Sequence, residues 1–516
     1  MSFGKKRMNP TTHSSRQHRV ASNPWRKVGL LSGIIITVLL GTVLSIGHYR
    51  KQTTDVQYVE QARTARDKGD WRSNIIHLKN ALQQNSTHRE ARQLLGEAYV
   101  ELGDGAAAEK ELRQALELGL PIEVIAVPLS RALLLQGKWD EVLALEAPLQ
   151  DMPEDGQATV LALRGQAHLG KGDLEAADQQ LQLAQQLKAD SPTLLLGQAR
   201  LAVQKQQWDE ARRWTERALV VQPGLAEAWS LQGDLEQRAG HPDKAEAAYT
   251  QAAKSRLNNK LDLLKRALVR NELKNYEGAQ EDIGLVQQHT LDYPGSHYVQ
   301  GRIYLSQQRL GDAQAAFERE LKTNPDHPLT LYYLTQVHLG QNQLQQAEQY
   351  SKRLLGLFPQ SNEAALLLAR AQLRDNKIDD AESILKPVLQ RNPNDVEAIG
   401  LMSAIQAARG NRDSSIQYLE RAVEQLPAAA SLRLQLGSSL LLQGNREQGI
   451  KALKKALELN PDLQQAEQIL IMDYLRNQQF DKALEIASNL VSKHPDNAVA
   501  YNILGMIYIY NGCSPR

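Results

Sequence analysis

Cysteine is nearly absent from this chain: Cys513 is the only one in 516 residues. That excludes an intramolecular disulfide and any cysteine-based metal cluster. Aromatic residues make up only 5% of the sequence, whereas 42% of residues are hydrophobic. Ala, Leu, Gln and Glu dominate, which is the composition of a helical protein. Phosphate-cradling signatures are missing, with no G-x-x-x-x-G-K-[ST] and no G-x-G-x-x-G. The twelve histidines are scattered. Pairs such as His289 with His297, or His327 with His338, lack metal-ligand spacing on one helix face and read as surface or turn residues. Acidic pairs such as Asp379–Asp380 fall between helices, where they favour the start of the next one. No Ser/His/Asp set stands out from the recurring Ser and Asp. The chain therefore reads as a non-enzyme, with no catalytic residues, no cofactor and no metal.

Acidic residues are also missing locally. Residues 1–51 hold nine Lys/Arg and no Asp or Glu, which leaves the rest with 51 basic and 59 acidic residues, a net charge of −8. Such an acidic array is a poor partner for nucleic acid. Within the basic head lies the opposite deficit, a run of 20 residues without charge from Val28 to Gly47. As a helix it spans roughly 30 Å, the thickness of a bilayer core. Trp25, Arg26 and Lys27 precede it, and His48, Tyr49, Arg50 and Lys51 follow. The excess of Lys/Arg before the run keeps the N-terminus cytoplasmic. The expected location is thus the inner membrane, single-pass, with the remainder in the periplasm of a Gram-negative cell. The alternative is a cleaved signal peptide. Gly29, Gly33, Thr37, Gly41 and Ser45 recur every fourth residue, a face that lets two membrane helices pack into a homodimer. The plainer reading is that such residues are common in membrane helices.

What the chain has in plenty is periodicity. Prolines stand at 325, 359, 393, 427, 461 and 495, always 34 residues apart. In the unit 294–327 the eighth residue is Gly301, the eleventh Tyr304, the twentieth Ala313 and the twenty-fourth Phe317. Small residues at 8 and 20, a large one at 24 and proline at 32 resemble the tetratricopeptide repeat (TPR). Small side chains let the two helices of a unit cross closely, and proline stops the second. The phase predicts an all-α fold, a TPR superhelical solenoid of about thirteen and a half helix–turn–helix repeats preceded by one transmembrane helix. The predicted organisation is a basic cytoplasmic head (1–27), a membrane helix (28–47) and a linker (48–54), followed by three units over 55–157, ten 34-residue units over 158–497 and an incomplete unit over 498–516. Gly69, Gly103, Gly137, Gly172, Gly240, Gly410 and Gly444 mark the turn inside units. Trp71, Trp139, Trp208, Trp214 and Trp229 are expected in the core. The last unit stops shortly after Gly512, which reads as a truncated longer array or as a bare helix that docks elsewhere.

The TPR resemblance implies an inner groove lined by first-helix positions 2, 5, 9 and 12. Position 9 is Arg63, Arg131, Arg200, Arg302 and Arg370, and position 5 supplies Tyr298 and Tyr332. Arginine beside tyrosine suits carboxylates, extended peptides or sugar rings, so envelope proteins, extended peptides and polysaccharide are the expected partners. The rival account pairs these arginines with Glu90, Glu97, Asp234, Glu363 and Glu397. Beyond the repeat, GDWRSNIIHLKNALQQN (69–85), EARQLLGEAYVELGDGAAAEKELRQALELGLP (90–121) and PLSRALLLQGKWDEVL (128–143) resemble the PrsT family of PEP-CTERM/exosortase systems. That resemblance implies a membrane-anchored envelope scaffold in exopolysaccharide biosynthesis or export, or in PEP-CTERM protein sorting. Two alternatives stand beside it. One is a cytoplasm-facing regulator of envelope lipid or lipopolysaccharide synthesis, like the LapB group. The other is a glycosyl-transfer enzyme with fused repeats, for which no unassigned stretch is long enough to supply a catalytic domain.

Overall fold

A computed structural model of the chain describes residues 54–510, apart from 147, 189, 256, 257, 289, 290 and 496. They form 27 α-helices, one 3-10 turn and no strand. The basic head, the apolar run Val28–Gly47 with its small-residue face, Gly512 and Cys513 lie outside the described residues. No described helix is long and apolar enough to cross a membrane. The helices fall into two compact groups, one running up to Ala228 and the other from Trp229 onward except for the loop residue Asn258, which belongs to the first, so the division lies inside the helix Ala226–Arg238.

Helices alternate as first and second members of a pair, and their starts keep the sequence phase. Second helices begin at 174, 208, 242, 276, 310, 344, 378, 412, 446 and 480, each 34 residues after the last. They also begin at 71, 105 and 139, with one extra residue before 174. The prolines explain the other end. Helices stop at Thr323, Leu357, Arg391, Gln425, Leu459 and Lys493, in each case two residues before proline. The residue between is forced out of the α region, as Asn324 (φ −129°, ψ 81°) and Asn392 (φ −134°, ψ 86°) show.

The turn inside every pair uses one left-handed residue. Positive φ occurs at Gly69, Gly103, Gly137, Gly172, Gln206, Gly240, Lys274, Gln308, Asn342, Asn376, Gly410, Gly444 and Gln478, one for each of thirteen pairs. Six of the thirteen are therefore side chains held where only glycine sits freely.

Core packing rests on positions 8 and 24, sixteen residues apart. A Cβ added to Gly233 would lie 2.5 Å from the Tyr249 ring, and one on Gly301 would lie 2.5 Å from Phe317. Gly96 faces Leu112 and Gly437 faces Leu453 in the same way. The converse holds where position 8 grows: Ile471 goes with Ala487 and Thr335 with Ser351, and all four are buried. In the unit starting at 396 both small positions are serine, and their hydroxyls share a hydrogen bond of 2.7 Å (Ser403–Ser415).

Three places depart from the expected pattern. The third pair has a second helix of only five residues, Trp139–Leu143. Pro148 and Pro153 lack an N–H and interrupt helical bonding there. The chain then makes a 3-10 turn at Leu149–Asp151, and the next first helix starts at Glu154, ahead of 158, and runs 18 residues. A later first helix begins at Ser296, two residues late, after Gly295 at φ 82°. The five tryptophans are only half-buried; Trp71, Trp139 and Trp208 each open a second helix, at the surface end of the core.

Neighbouring pairs are tied by carboxylates at position 21. Glu109 meets Lys138 at 2.7 Å, Asp178 meets Lys205 at 2.6 Å, Glu246 meets Arg270 at 2.6 Å and Glu348 meets Lys377 at 2.6 Å. Burial alone would push Glu109 up, but hydrogen bonds from Lys138, Gln136 and Arg113 outweigh it and hold the carboxyl at about 2. Glu348 is held at about 2 by hydrogen bonds from Lys352 and Lys377.

Three substitutions have expected outcomes. Gln308→Gly should raise the unfolding free energy by about 0.5–1 kcal/mol in denaturant titrations, because the left-handed penalty is removed and part of the gain returns as chain entropy. Asn342→Gly should raise it less, since asparagine tolerates that region. Because the folded values of Glu109 and Glu348 lie below the ordinary 4.5, their contribution is complete above that value and is lost as pH falls toward 2. Glu348→Gln should cost about 1–3 kcal/mol at neutral pH and flatten the acid limb of the stability curve.

Candidate partner-binding groove

Successive first helices touch one another within each group. Arg89–Glu101, Ile122–Leu135, Glu154–Lys171 and Pro192–Gln204 follow in order in one. Lys260–Glu272, Ser296–Ser306, Pro328–Gly340, Asn362–Arg374, Val396–Ala408 and Ala430–Gln443 do so in the other. Within each group their non-core positions thus form a lining layer, with a row of residues contributed once per pair.

The five position-9 arginines do not share one environment. Arg63 pairs with Glu90, 27 residues on, and with Glu60 at 3.2 Å. Arg370 pairs with Glu397 at the same 27-residue offset, from position 9 to position 2 of the next pair. Side chains in these pairs keep 41–48% of their exposure, apart from the more open Glu60, so each is a surface contact of modest strength. Arg131 is exposed and donates to the Thr193 hydroxyl at 3.4 Å. Arg200 donates to Gln166 Oε1 at 2.5 Å. Of the acids named as partners, only Glu90 and Glu397 make such pairs among the described contacts. Glu97 accepts from Gln93, Asp234 holds Lys265 at 2.8 Å, and Glu363 accepts from Ser361.

Arg302 is different. Its Nη1 donates to the Tyr298 hydroxyl at 3.0 Å, and its guanidinium lies 4.3 Å from the centre of the Tyr333 ring. Tyr298 is only 7% exposed and packs against Phe317, Tyr333 and His327, so it forms the floor beneath Arg302 rather than an open contact surface. Burial pushes the Tyr298 hydroxyl up, which keeps it protonated and free to accept from the arginine. Tyr332 is half-buried and stands edge-on to Tyr333 at 5.2 Å. Tyr333 was not expected from the positional rule. It sits one residue beyond groove position 5, and only the Tyr-Tyr doublet signals it.

A second feature lies in the first group. A cavity of about 290 Å³ opens among Arg63, Arg66, Arg131, Trp71, Glu97 and Glu101. It joins two of the expected groove arginines to a half-buried tryptophan. No cluster of His, Cys, Asp or Glu among the described residues could hold a metal ion.

Comparison with known proteins accords with this geometry. One tetratricopeptide-repeat model matches residues 65–119 and 339–405, and another matches 196–255, 298–362 and 405–463. No curated protein matches the chain. Among solved structures, the Cut9–Hcn1 hetero-tetramer of the APC/C is 13% identical, with a TM-score of 0.42 over 88% of this chain and 96% of that one. PilW, a type IV pilus biogenesis factor, is 17% identical, with a TM-score of 0.38 over 41% and 98%. YrrB, described as a TPR protein with an unusual peptide-binding site, is 18% identical, with a TM-score of 0.28 over 36% and 95%. The two repeat models together cover more than half of the residues, and thirteen helix pairs share one turn geometry: the chain belongs to the tetratricopeptide repeat family.

Proposed function

We propose that this TPR protein is an inner-membrane-anchored scaffold whose array lies in the periplasm and holds partner proteins during exopolysaccharide assembly and export or PEP-CTERM protein sorting. The anchoring is supported by the apolar run Val28–Gly47 and by the basic excess before it. The pathway is supported by the opening units, whose sequence resembles the PrsT family. The holding role is carried by one observation, the first-helix arginines held only by exposed ion pairs, as Arg63 and Arg370 are, or stacked on tyrosine, as Arg302 is. A surface ion pair such as Arg370–Glu397 exchanges readily for a ligand carboxylate, because little free energy holds it. Nothing in the matched models is a catalytic domain, and the chemistry of the groove is that of recognition.

Protease added to spheroplasts should digest the array from residue 52 onward while whole cells protect it. Immunoblotting with an antibody against the array reads the result, and full protection in spheroplasts would reverse the topology. In the same cells, deleting the gene should reduce secreted polysaccharide or leave PEP-CTERM proteins unprocessed. Unchanged levels of both would remove the pathway.

A further inference from the structure

Two consecutive first helices, Ser296–Ser306 and Pro328–Gly340, carry a single formal charge between them with histidine neutral, and that charge is Arg302. The surrounding groove positions are apolar or weakly polar. Leu261 and Leu329 are about half exposed at 49% and 51%, and Leu268, Leu305 and Tyr332 are partly buried. Basic side chains of the preceding first helix are already engaged, Lys265 with Asp234 and Arg266 and Arg270 with the buried Asp282, and Arg309 pairs with Asp312. Arg302 has no carboxylate partner among the described contacts, and its one hydrogen bond goes to Tyr298.

A guanidinium has five N–H donors in a flat fork. Here one donor is used and one face is covered by Tyr333, so the ring holds the plane while the other donors stay unfilled. From this we infer that Arg302 is the anchor of a carboxylate-binding site, and that its ligand is an extended peptide segment with one acidic side chain flanked by aliphatic ones. The inference rests on the reading of the first-helix layer as the partner-holding surface. The apolar neighbours explain the choice of ligand. They reward leucine-like flanks by burial, and they lower the local dielectric so that one ion pair there exceeds an exposed one. One cation matches one carboxylate, whereas a phosphate group calls for a cluster of them. Arg63 and Arg370 differ because Glu90 and Glu397 already supply the carboxylate.

The test is selection of a random linear peptide library displayed on phage against the full chain in detergent. Wild type should enrich peptides with one Asp or Glu at a fixed place among Leu, Ile, Val or Met. Glutamine at that place in a synthetic copy should weaken binding about tenfold or more. Arg302→Gln should lose the acid preference and keep the apolar one, Arg302→Lys should recover part of it, and Arg217→Gln, on the second helix Trp208–Val221, should select the wild-type pattern. Enriched peptides without a fixed acid, or an acid preference that survives Arg302→Gln, would overturn the carboxylate site and leave the groove reading standing. No enrichment by any form would overturn both. Matching circular-dichroism melts of wild type, Arg302→Gln and Arg302→Lys show that the comparison is between folded proteins.

Discussion

The distance at which two helices of a pair can cross governs this molecule. It is set by the volume shared between positions 8 and 24. Where the first helix gives up its side chain, as at Gly233 and Gly301, the second fills the space with Tyr249 or Phe317. Where the first helix keeps a large residue, as at Ile471, the second retreats to Ala487. Protein interiors are packed too densely for either side to change alone. The two positions change in compensation, so the same pairing recurs while second helices start at an unvarying interval over ten consecutive pairs. Stacking then follows, since a pair with a constant shape buries its neighbour in a constant way.

Function occupies what that constraint leaves over. Core positions are committed to volume matching and position 21 to ties between neighbours, as with Glu109 and Lys138. The outward positions of first helices carry no such duty. They vary from leucine to arginine without disturbing the array, so one scaffold presents a cavity with a tryptophan in one group and a stacked arginine in an apolar stretch in the other. This division of labour lets a binding surface change residue by residue while the fold stays fixed.

Much of this was legible in the order of residues, because a proline or a small residue acts through its own geometry. The interval between Pro325 and Pro359 marks helix ends without reference to the rest of the chain, and Gly69 or Gly444 marks a turn for the same reason. Other features depend on neighbours distant in sequence. Six turns adopt the left-handed conformation with Gln, Lys or Asn, which no local preference announces; the two flanking helices impose it. Tyr298 was placed on the groove by position, yet Phe317 and Tyr333 enclose it. Of the five acids named as rival partners, Glu90 and Glu397 pair with position-9 arginines, because an offset of 27 residues brings position 9 to position 2 where an acid stands there. The shortened helix Trp139–Leu143 was hidden because Pro148 and Pro153 reveal a stop but not how soon before them the helix ends.

That shortened helix has a thermodynamic consequence. In a linear array the stability of each element is its own free energy plus the coupling to the elements beside it, and cooperativity travels only as far as those couplings hold. A five-residue second helix presents less than half of the usual fourteen-residue interface to the pairs on either side. The coupling is weakest there, so melting of the leading pairs need not propagate past Met152. The opening segment of the array can fray and re-form as a separate cooperative block while the long regular stretch behind it stays intact.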